Sequence, residues 1–113
     1  MTPELKDAWL EALRSGKYTQ GKYQLKAEPR QGKYAHCCLG VLCEVAGLKA
    51  DSHGVFYDGS EQVTSEKYIL LAQLHRFGLP EALARELAYI NDNSSNFSAA
   101  SEKIETSVPT SPT

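Results

Sequence analysis

The cysteines and two of the three histidines form the densest group of reactive side chains in the sequence. His36, Cys37 and Cys38 are consecutive, Cys43 follows, and His53 lies further along the chain. A thiol at a helix N-terminus has a lowered pKa, and a neighbouring histidine can accept its proton, as in a cysteine nucleophile. Zinc uses the same residue types, but no Cys-x-x-Cys pair occurs and adjacent helical residues point about 100° apart. We therefore predict no metal site, and buried packing is the default interpretation of the thiols.

One resemblance supports the nucleophile interpretation. Residues 36–41 resemble the start of the catalytic helix in NlpC/P60-type cysteine peptidases, and residues 52–57 resemble the strand of that family that carries the histidine. The resemblance implies a hydrolase that uses Cys37 or Cys38 with His53. However, far fewer residues separate Cys38 from His53 than that fold places between nucleophile and base. The hydrolase is therefore the alternative, and we predict no catalytic residues in the leading interpretation.

Residues 14–34 combine basic and aromatic side chains. Most tyrosines in the sequence directly follow a lysine, as in Lys17-Tyr18 and Lys22-Tyr23. Ammonium and guanidinium groups pair with anions, whereas tyrosine rings provide apolar contact and stack on bases. We predict that this segment forms the surface that binds a ligand or partner, with Arg14, Tyr18, Lys22 and Tyr23 as its main contributors.

The composition restricts the class of protein. The 113 residues are 42% hydrophobic and 23% charged, which is typical of a globular domain with its own core. The net charge of −2 makes duplex nucleic acid an unfavourable partner. The sequence contains no run of about 18 apolar residues and no signal-peptide pattern, so we expect no membrane insertion and an intracellular protein. It contains no P-loop and no Gly-x-Gly-x-x-Gly motif, so no cofactor is predicted.

The hydrophobic periodicity predicts an α+β fold in which helices dominate. Thr2 and Pro3 start an amphipathic helix that ends before Gly16, and a short strand follows over residues 23–27. A central helix runs from Ala35 and is closed by Gly47, and a second strand lies within residues 54–59. These strands form a small antiparallel sheet that packs with the N-terminal, central and C-terminal helices.

The second half of the sequence is predicted to be mainly helical. One helix starts near residue 64 or 65 and continues to Phe77, and Pro80 occupies the first position of the next helix. A polar turn over residues 91–96 precedes a last helix that carries Phe97 and Ile104 on one face, and helix capping explains Asn91-Asp92-Asn93 within that turn. We predict one domain over residues 1–106 and a flexible tail over residues 107–113.

Several motifs together resemble a small family of phage and prophage proteins. They are a Trp at position 9, a Leu-Arg-Ser-Gly-x-Tyr-x-Gln turn over 13–20, a Cys-Cys-Leu-Gly-Val-Leu-Cys helix over 37–43, Asn91-Asp92, and Phe97. The resemblance implies a phage origin, and small non-structural phage proteins often antagonise host systems.

The resemblance and the basic segment lead to one functional expectation. We expect a phage-encoded, non-enzymatic binding protein in the cytoplasm of an infected bacterium. It would act on a host system by inhibiting a host protein or by sequestering a small nucleotide signal. The sequence is also compatible with a homo-oligomer.

Overall fold

A computed structural model of the chain describes residues 1–24, 26–30, 33–63 and 74–110. Within these ranges the fold is α+β with helices dominant, as predicted. The helices are α1 (Pro3–Arg14), α2 (Cys38–Val45), α3 (Glu81–Asp92) and α4 (Ser98–Ser107). The strands are β1 (Thr19–Gln20), β2 (Lys26–Arg30), β3 (Lys33–His36), β4 (Lys49–Ala50), β5 (Phe56–Asp58) and β6 (Glu61–Gln62).

The strands form two small sheets instead of the single sheet that was predicted. The first has the order β1-β3-β2, with β1 parallel and β2 antiparallel to β3. The second is the antiparallel order β4-β5-β6. The parallel pair is possible because β2 lies between β1 and β3 in sequence, which leaves enough chain for the crossover.

Helix α1 begins and ends where the sequence predicts. The Thr2 hydroxyl accepts a hydrogen bond from the Leu5 N–H at 3.1 Å, and Pro3 occupies the first helical position. Gly16 follows the helix with a φ of +77°, a left-handed conformation that glycine adopts without steric cost. The helix buries Trp9, Leu10 and Leu13, whereas Ala8 is exposed.

Two predicted boundaries in the next segment are wrong. Tyr23 does not begin a strand, since it has a φ of +69° and its N–H donates to Asp92 Oδ1 at 3.0 Å. The strand begins at Lys26 instead, and Leu25, which the prediction also included, lies outside the described residues. Ala35 lies in β3 and not in the central helix, which starts at Cys38. Pairing of β3 with both neighbouring strands outweighs the helical periodicity there.

The helix predicted from residue 64 or 65 falls mostly outside the described residues. Residues 74–77 form a single 3₁₀ turn that Gly78 closes with a φ of +82°. Helix α3 follows, with Pro80 as its N-cap and not its first helical residue. Helix α4 matches the prediction, because Ala100 and Ile104 are fully buried on one face.

Packing continues beyond residue 106, the predicted end of the domain. Helix α4 includes Ser107, and Val108 is buried. The Lys6 ammonium donates to the backbone carbonyls of Val108 at 2.8 Å and of Glu105 at 3.1 Å. The start of the predicted tail is thus attached to α1, and residues 111–113 lie outside the described ranges.

Trp9 lies at the centre of the core. Its side chain is fully buried, as the sequence predicts, and its indole N–H donates to the Cys38 carbonyl at 2.8 Å. That bond joins α1 to the first residue of α2, a helix in which every residue from Cys38 to Cys43 is buried. Trp9 therefore satisfies a polar group inside an otherwise apolar contact.

We expect Trp9→Ala to lower the free energy of unfolding by about 3–5 kcal/mol, because it leaves a large cavity and removes the donor to Cys38. Trp9→Phe keeps an aromatic ring and should lose less, about 1–2 kcal/mol. Urea unfolding followed by circular dichroism measures both changes. An unfolding midpoint of the alanine variant equal to that of the wild type would show that Trp9 does not contribute to the core.

Candidate functional site

A buried asparagine joins three elements near the centre of the molecule. Asn91, in the last turn of α3, is fully buried. Its Oδ1 accepts from the Cys38 N–H at 3.1 Å, and its Nδ2 donates to the Gly21 carbonyl at 2.9 Å. Gln20 Nε2 donates to the Asn91 carbonyl at 3.0 Å and to the Ser94 carbonyl at 3.2 Å. We call Asn91, Gln20 and the backbone groups of Gly21, Cys38 and Ser94 the Asn91 hub.

The Asn91 hub fixes one wall of a cleft of about 650 Å³, which we call the α1–α4 cleft. One wall comes from the end of α1 and from β1, and the other from the turn before α4 and its first two turns. The lining residues are Leu13, Arg14, Gly16, Tyr18, Gln20, Ser95, Asn96, Phe97, Ser98, Ser101 and Glu102. The cleft therefore combines two aromatic rings with hydroxyl, amide and charged groups.

The N-terminus of α4 lies at this cleft, and within the described residues only its first N–H is capped by a side chain. Phe97 occupies the N-cap position and provides no hydrogen bond from its side chain. The Ser98 N–H donates to Asn96 Oδ1 at 2.8 Å. In the described part of the chain, the N–H groups of Ala99 and Ala100 have no acceptor. Such groups point toward the start of the helix and give it a partial positive charge.

Ser101 contributes a second polar group without a partner. The residue is 2% exposed and lines the cleft on the face of α4 that includes Ser98 and Glu102. Its hydroxyl oxygen has no hydrogen-bond partner among the described residues. A buried polar atom without a partner is uncommon in native structures and calls for an explanation.

Opposite charges meet at the rim of the cleft. Arg14 Nη2 forms an ion pair with Glu105, and both side chains are about half exposed. Its Nε and Nη1 have no partner within the described residues. Glu102, which also lines the cleft, places a carboxylate on the α4 side.

Tyr18 supplies the aromatic side of the first wall. Its ring packs edge-on against His36 with the ring centroids 5.1 Å apart. Burial, and then the negative charge of Glu44, raise the pKa of the Tyr18 phenol. The hydroxyl therefore stays protonated at neutral pH and can donate a hydrogen bond.

Two of the four predicted binding residues lie in the cleft and two do not. Arg14 and Tyr18 line it, whereas Lys22 and Tyr23 lie outside it on the surface. The prediction missed the α4 side altogether. Ser101 could have been noticed, because it interrupts the apolar stripe of Phe97, Ala100 and Ile104 at a position that faces the core.

The predicted capping role of Asn91-Asp92-Asn93 is correct for Asn93 and wrong for Asn91. Asn93 is the C-cap of α3, and its Nδ2 donates to the Tyr89 carbonyl at 2.8 Å. Asn96 accepts from the Ser98 N–H at the start of α4. Asn91 instead lies within α3 and is buried, because the hub supplies partners for both ends of its amide.

The thiols lack the exposure that a nucleophile needs. Cys37, Cys38 and Cys43 form no disulfide and are fully buried, so the predicted burial of Cys38 is confirmed. Burial, with smaller effects of Cys37 and Asp92, raises the pKa of Cys38 well above its ordinary value. His53 lies in an exposed turn between β4 and β5. Cys38 and Cys43 therefore pack in the core in their protonated form, and Cys37 is buried with them.

A second polar cluster stabilises β2, β3 and α2. Glu44 Oε2 lies 2.7 Å from His36 Nε2 and 3.0 Å from Lys26 Nζ. The hydrogen bond with His36, together with Lys26, lowers the pKa of Glu44 despite its partial burial. Lys26 also lies 4.4 Å from the centre of the Tyr34 ring, so this tyrosine pairs with Lys26 across the sheet. We interpret the cluster as structural.

The described ranges hold no group of three or more His, Cys, Asp or Glu side chains that could bind a metal ion. No helix in residues 1–24, 26–30, 33–63 and 74–110 has both the length and the apolar character needed to cross a bilayer.

The chain belongs to the family DUF8296, a domain of unknown function, which matches residues 1–108. Searches of curated proteins and of solved structures found no match. The family match includes every residue that lines the α1–α4 cleft. The cleft is therefore part of the family's domain.

We expect all three cysteines to react slowly with iodoacetamide in the native protein, at least about a thousandfold more slowly than in denaturant, because labelling requires the core to open. Intact mass spectrometry over time at neutral pH measures the rates. The denatured protein is the control, and it should take up one label at each cysteine. Rapid labelling of a single native cysteine would contradict this assignment and favour the hydrolase.

Proposed function

We propose that this protein is a phage-encoded, non-enzymatic binding protein that acts on a host system in the bacterial cytoplasm. It sequesters a small nucleotide signal in the α1–α4 cleft. The cleft is the observation that carries the proposal, since its volume of about 650 Å³ suits a ligand of nucleotide size. The phage origin rests on the motifs that resemble phage proteins.

The motifs of that resemblance meet around the cleft, which supports the proposal. Trp9 bonds to Cys38, and Cys38 bonds to Asn91 in the hub. Gln20 bonds to the same asparagine, and Phe97 lines the cleft. Segments that are far apart in the sequence thus build one site and its support.

The groups in the cleft match the parts of a nucleotide. Tyr18 and Phe97 offer aromatic contact to a base. Gln20 uses its Nε2 within the hub, so its Oε1 is left as an acceptor. The Glu102 carboxylate can accept hydrogen bonds from ribose hydroxyls, as acidic residues do in other nucleotide sites.

Binding is favoured over catalysis by the state of the reactive side chains. The thiols that the hydrolase alternative requires, Cys37 and Cys38, are buried, and burial raises the pKa of Cys38. A nucleophile must reach its substrate, and these side chains have no exposed surface with which to do so. We therefore do not propose the hydrolase.

A panel of cyclic and linear nucleotides, screened by thermal shift and calorimetry, tests the proposal. A nucleotide at 100 times its dissociation constant should stabilise the protein by about 2.7 kcal/mol, which raises the melting temperature by several degrees. Ser98→Trp fills the cleft from an exposed position and should abolish the shift.

Ser107→Trp is the matched control, because Ser107 is exposed on the same helix but does not line the cleft. This variant should bind like the wild type. If Ser98→Trp also binds normally, the site lies elsewhere. If no member of the panel binds, the nucleotide proposal is wrong.

A second candidate, inhibition of a host protein, is favoured by two exposed tyrosines. Tyr23 and Tyr89 are 67% and 69% exposed, and the backbone of Tyr23 bonds to Asp92, one turn after Tyr89 on α3. Tyrosine is enriched among residues that dominate binding at protein interfaces. With Lys22 alongside, this Tyr23–Tyr89 surface could bind a protein with an acidic patch.

Single charge reversals separate the two candidates. Arg14→Glu should abolish nucleotide binding, because it removes the cation at the cleft, whereas Lys22→Glu should leave it intact. Capture of the host protein from lysate on the immobilised chain should show the opposite pattern. Lys22→Glu should abolish this capture, whereas Arg14→Glu should leave it intact. Both sites are exposed, so neither variant should change the melting temperature by more than about 3 °C. Nucleotide binding that survives Arg14→Glu would contradict the assignment to the cleft.

A further inference from the structure

We infer that the N-terminus of α4 forms an oxyanion subsite of the α1–α4 cleft that accepts one singly charged phosphodiester. This inference rests on the proposed function and specifies its ligand class. The nucleotide would then be cyclic, or esterified on both sides of its phosphate, and would not end in a free phosphate group.

The first support is the set of donors at the start of α4. The N–H groups of Ala99 and Ala100 have no acceptor among the described residues, and Phe97 provides no cap. A helix N-terminus with unpaired N–H groups binds oxyanions through these groups and its partial positive charge. The cleft lies directly at this end, with Asn96 and Ser98 on its wall.

The second and independent support is Ser101. Its hydroxyl is buried without a partner in the described part of the chain, although the residue lines the cleft. A buried hydroxyl without a partner destabilises the fold, and a small apolar residue would avoid that cost. An acceptor oxygen bound in the cleft would give this hydroxyl its missing partner.

The charges around the cleft limit how negative the ligand can be. Arg14 is the cation at the rim, but one of its nitrogens is already paired with Glu105. Glu102 adds a carboxylate to the lining. The helix end adds only about half a positive charge, so the cleft favours the least negative form of a phosphate ester, which is a singly charged diester. A terminal phosphate carries nearly two at neutral pH and would be repelled by Glu102.

Ser101→Ala tests the subsite without endangering the fold. The variant should melt at a higher temperature than the wild type when no ligand is present, because it removes the unpaired hydroxyl. Its affinity for 3′,5′-cyclic AMP and 3′,5′-cyclic GMP, measured by calorimetry, should fall about tenfold or more. Its affinity for adenosine and guanosine should not change. Ser107→Ala, at the exposed end of the same helix, is the control and should bind like the wild type.

The charge limit is tested with 5′-AMP and 5′-GMP. At pH 8 they should bind at least about tenfold more weakly than the cyclic nucleotides, and at pH 5.5, where the phosphate is largely singly charged, the gap should close. The affinity for the cyclic nucleotides is the control, because any change in it between the two pH values comes from the protein itself. Glu102→Gln should close the gap at pH 8, whereas Glu11→Gln, at an exposed position outside the cleft, should not.

Dimethyl phosphate separates failure of the subsite from failure of the proposed function. This diester has one negative charge and no base, and millimolar amounts should shift the Ala99 and Ala100 amide signals in nuclear magnetic resonance spectra of the wild type but not of Ser101→Ala. Absence of these shifts would overturn the subsite, even if nucleotides bind. Shifts with dimethyl phosphate but no binding of any nucleotide would support the subsite and refute the nucleotide proposal. Equal affinity for cyclic nucleotides and nucleosides would also overturn the subsite.

Discussion

The fold depends on the requirement that the fully buried amide of Asn91 be satisfied. A buried amide without partners would destabilise the protein by several kcal/mol, of order 2–7 for an uncompensated polar group. Its two ends bind the first N–H of α2 and the carbonyl that follows β1. These bonds are possible only when α2, α3 and the first sheet meet in one relative arrangement. A polar contact thus specifies how apolar elements are oriented.

Trp9 completes this arrangement from the opposite side of α2. The carbonyl of Cys38 accepts from the indole, while its N–H donates to Asn91. The backbone of this residue is therefore held at both ends, and its side chain is directed into the core. The same helix start that could activate a thiol is used here for packing, which explains why cysteines in a reactive-looking pattern are buried.

The cleft is a consequence of the same arrangement. The hub holds Gln20 against the end of α3, and Tyr18 lies two residues earlier, opposite the N-terminus of α4. Near α4 the chain leaves polar groups without partners, at Ser101 and in the first turn. Sites that bind ligands often sacrifice some stability in this way. The contrast between the paired hub and the unpaired groups beside α4 is one reason why we propose the cleft as the binding site.

The sequence by itself determined the elements that depend on local chemistry. Thr2, Pro3 and Gly16 define α1, and the apolar spacing in α1 and α4 identifies the buried faces, because capping and helical periodicity act within a few residues. Only the tertiary structure decided that Ala35 lies in a strand, that Tyr23 lies in a left-handed turn, and that Asn91 is buried. It also decided that Arg14 and Tyr18, but not Lys22, lie opposite α4. These outcomes depend on contacts between residues far apart in sequence, such as those of Asn91 with Gly21 and Cys38, and no local pattern encodes them.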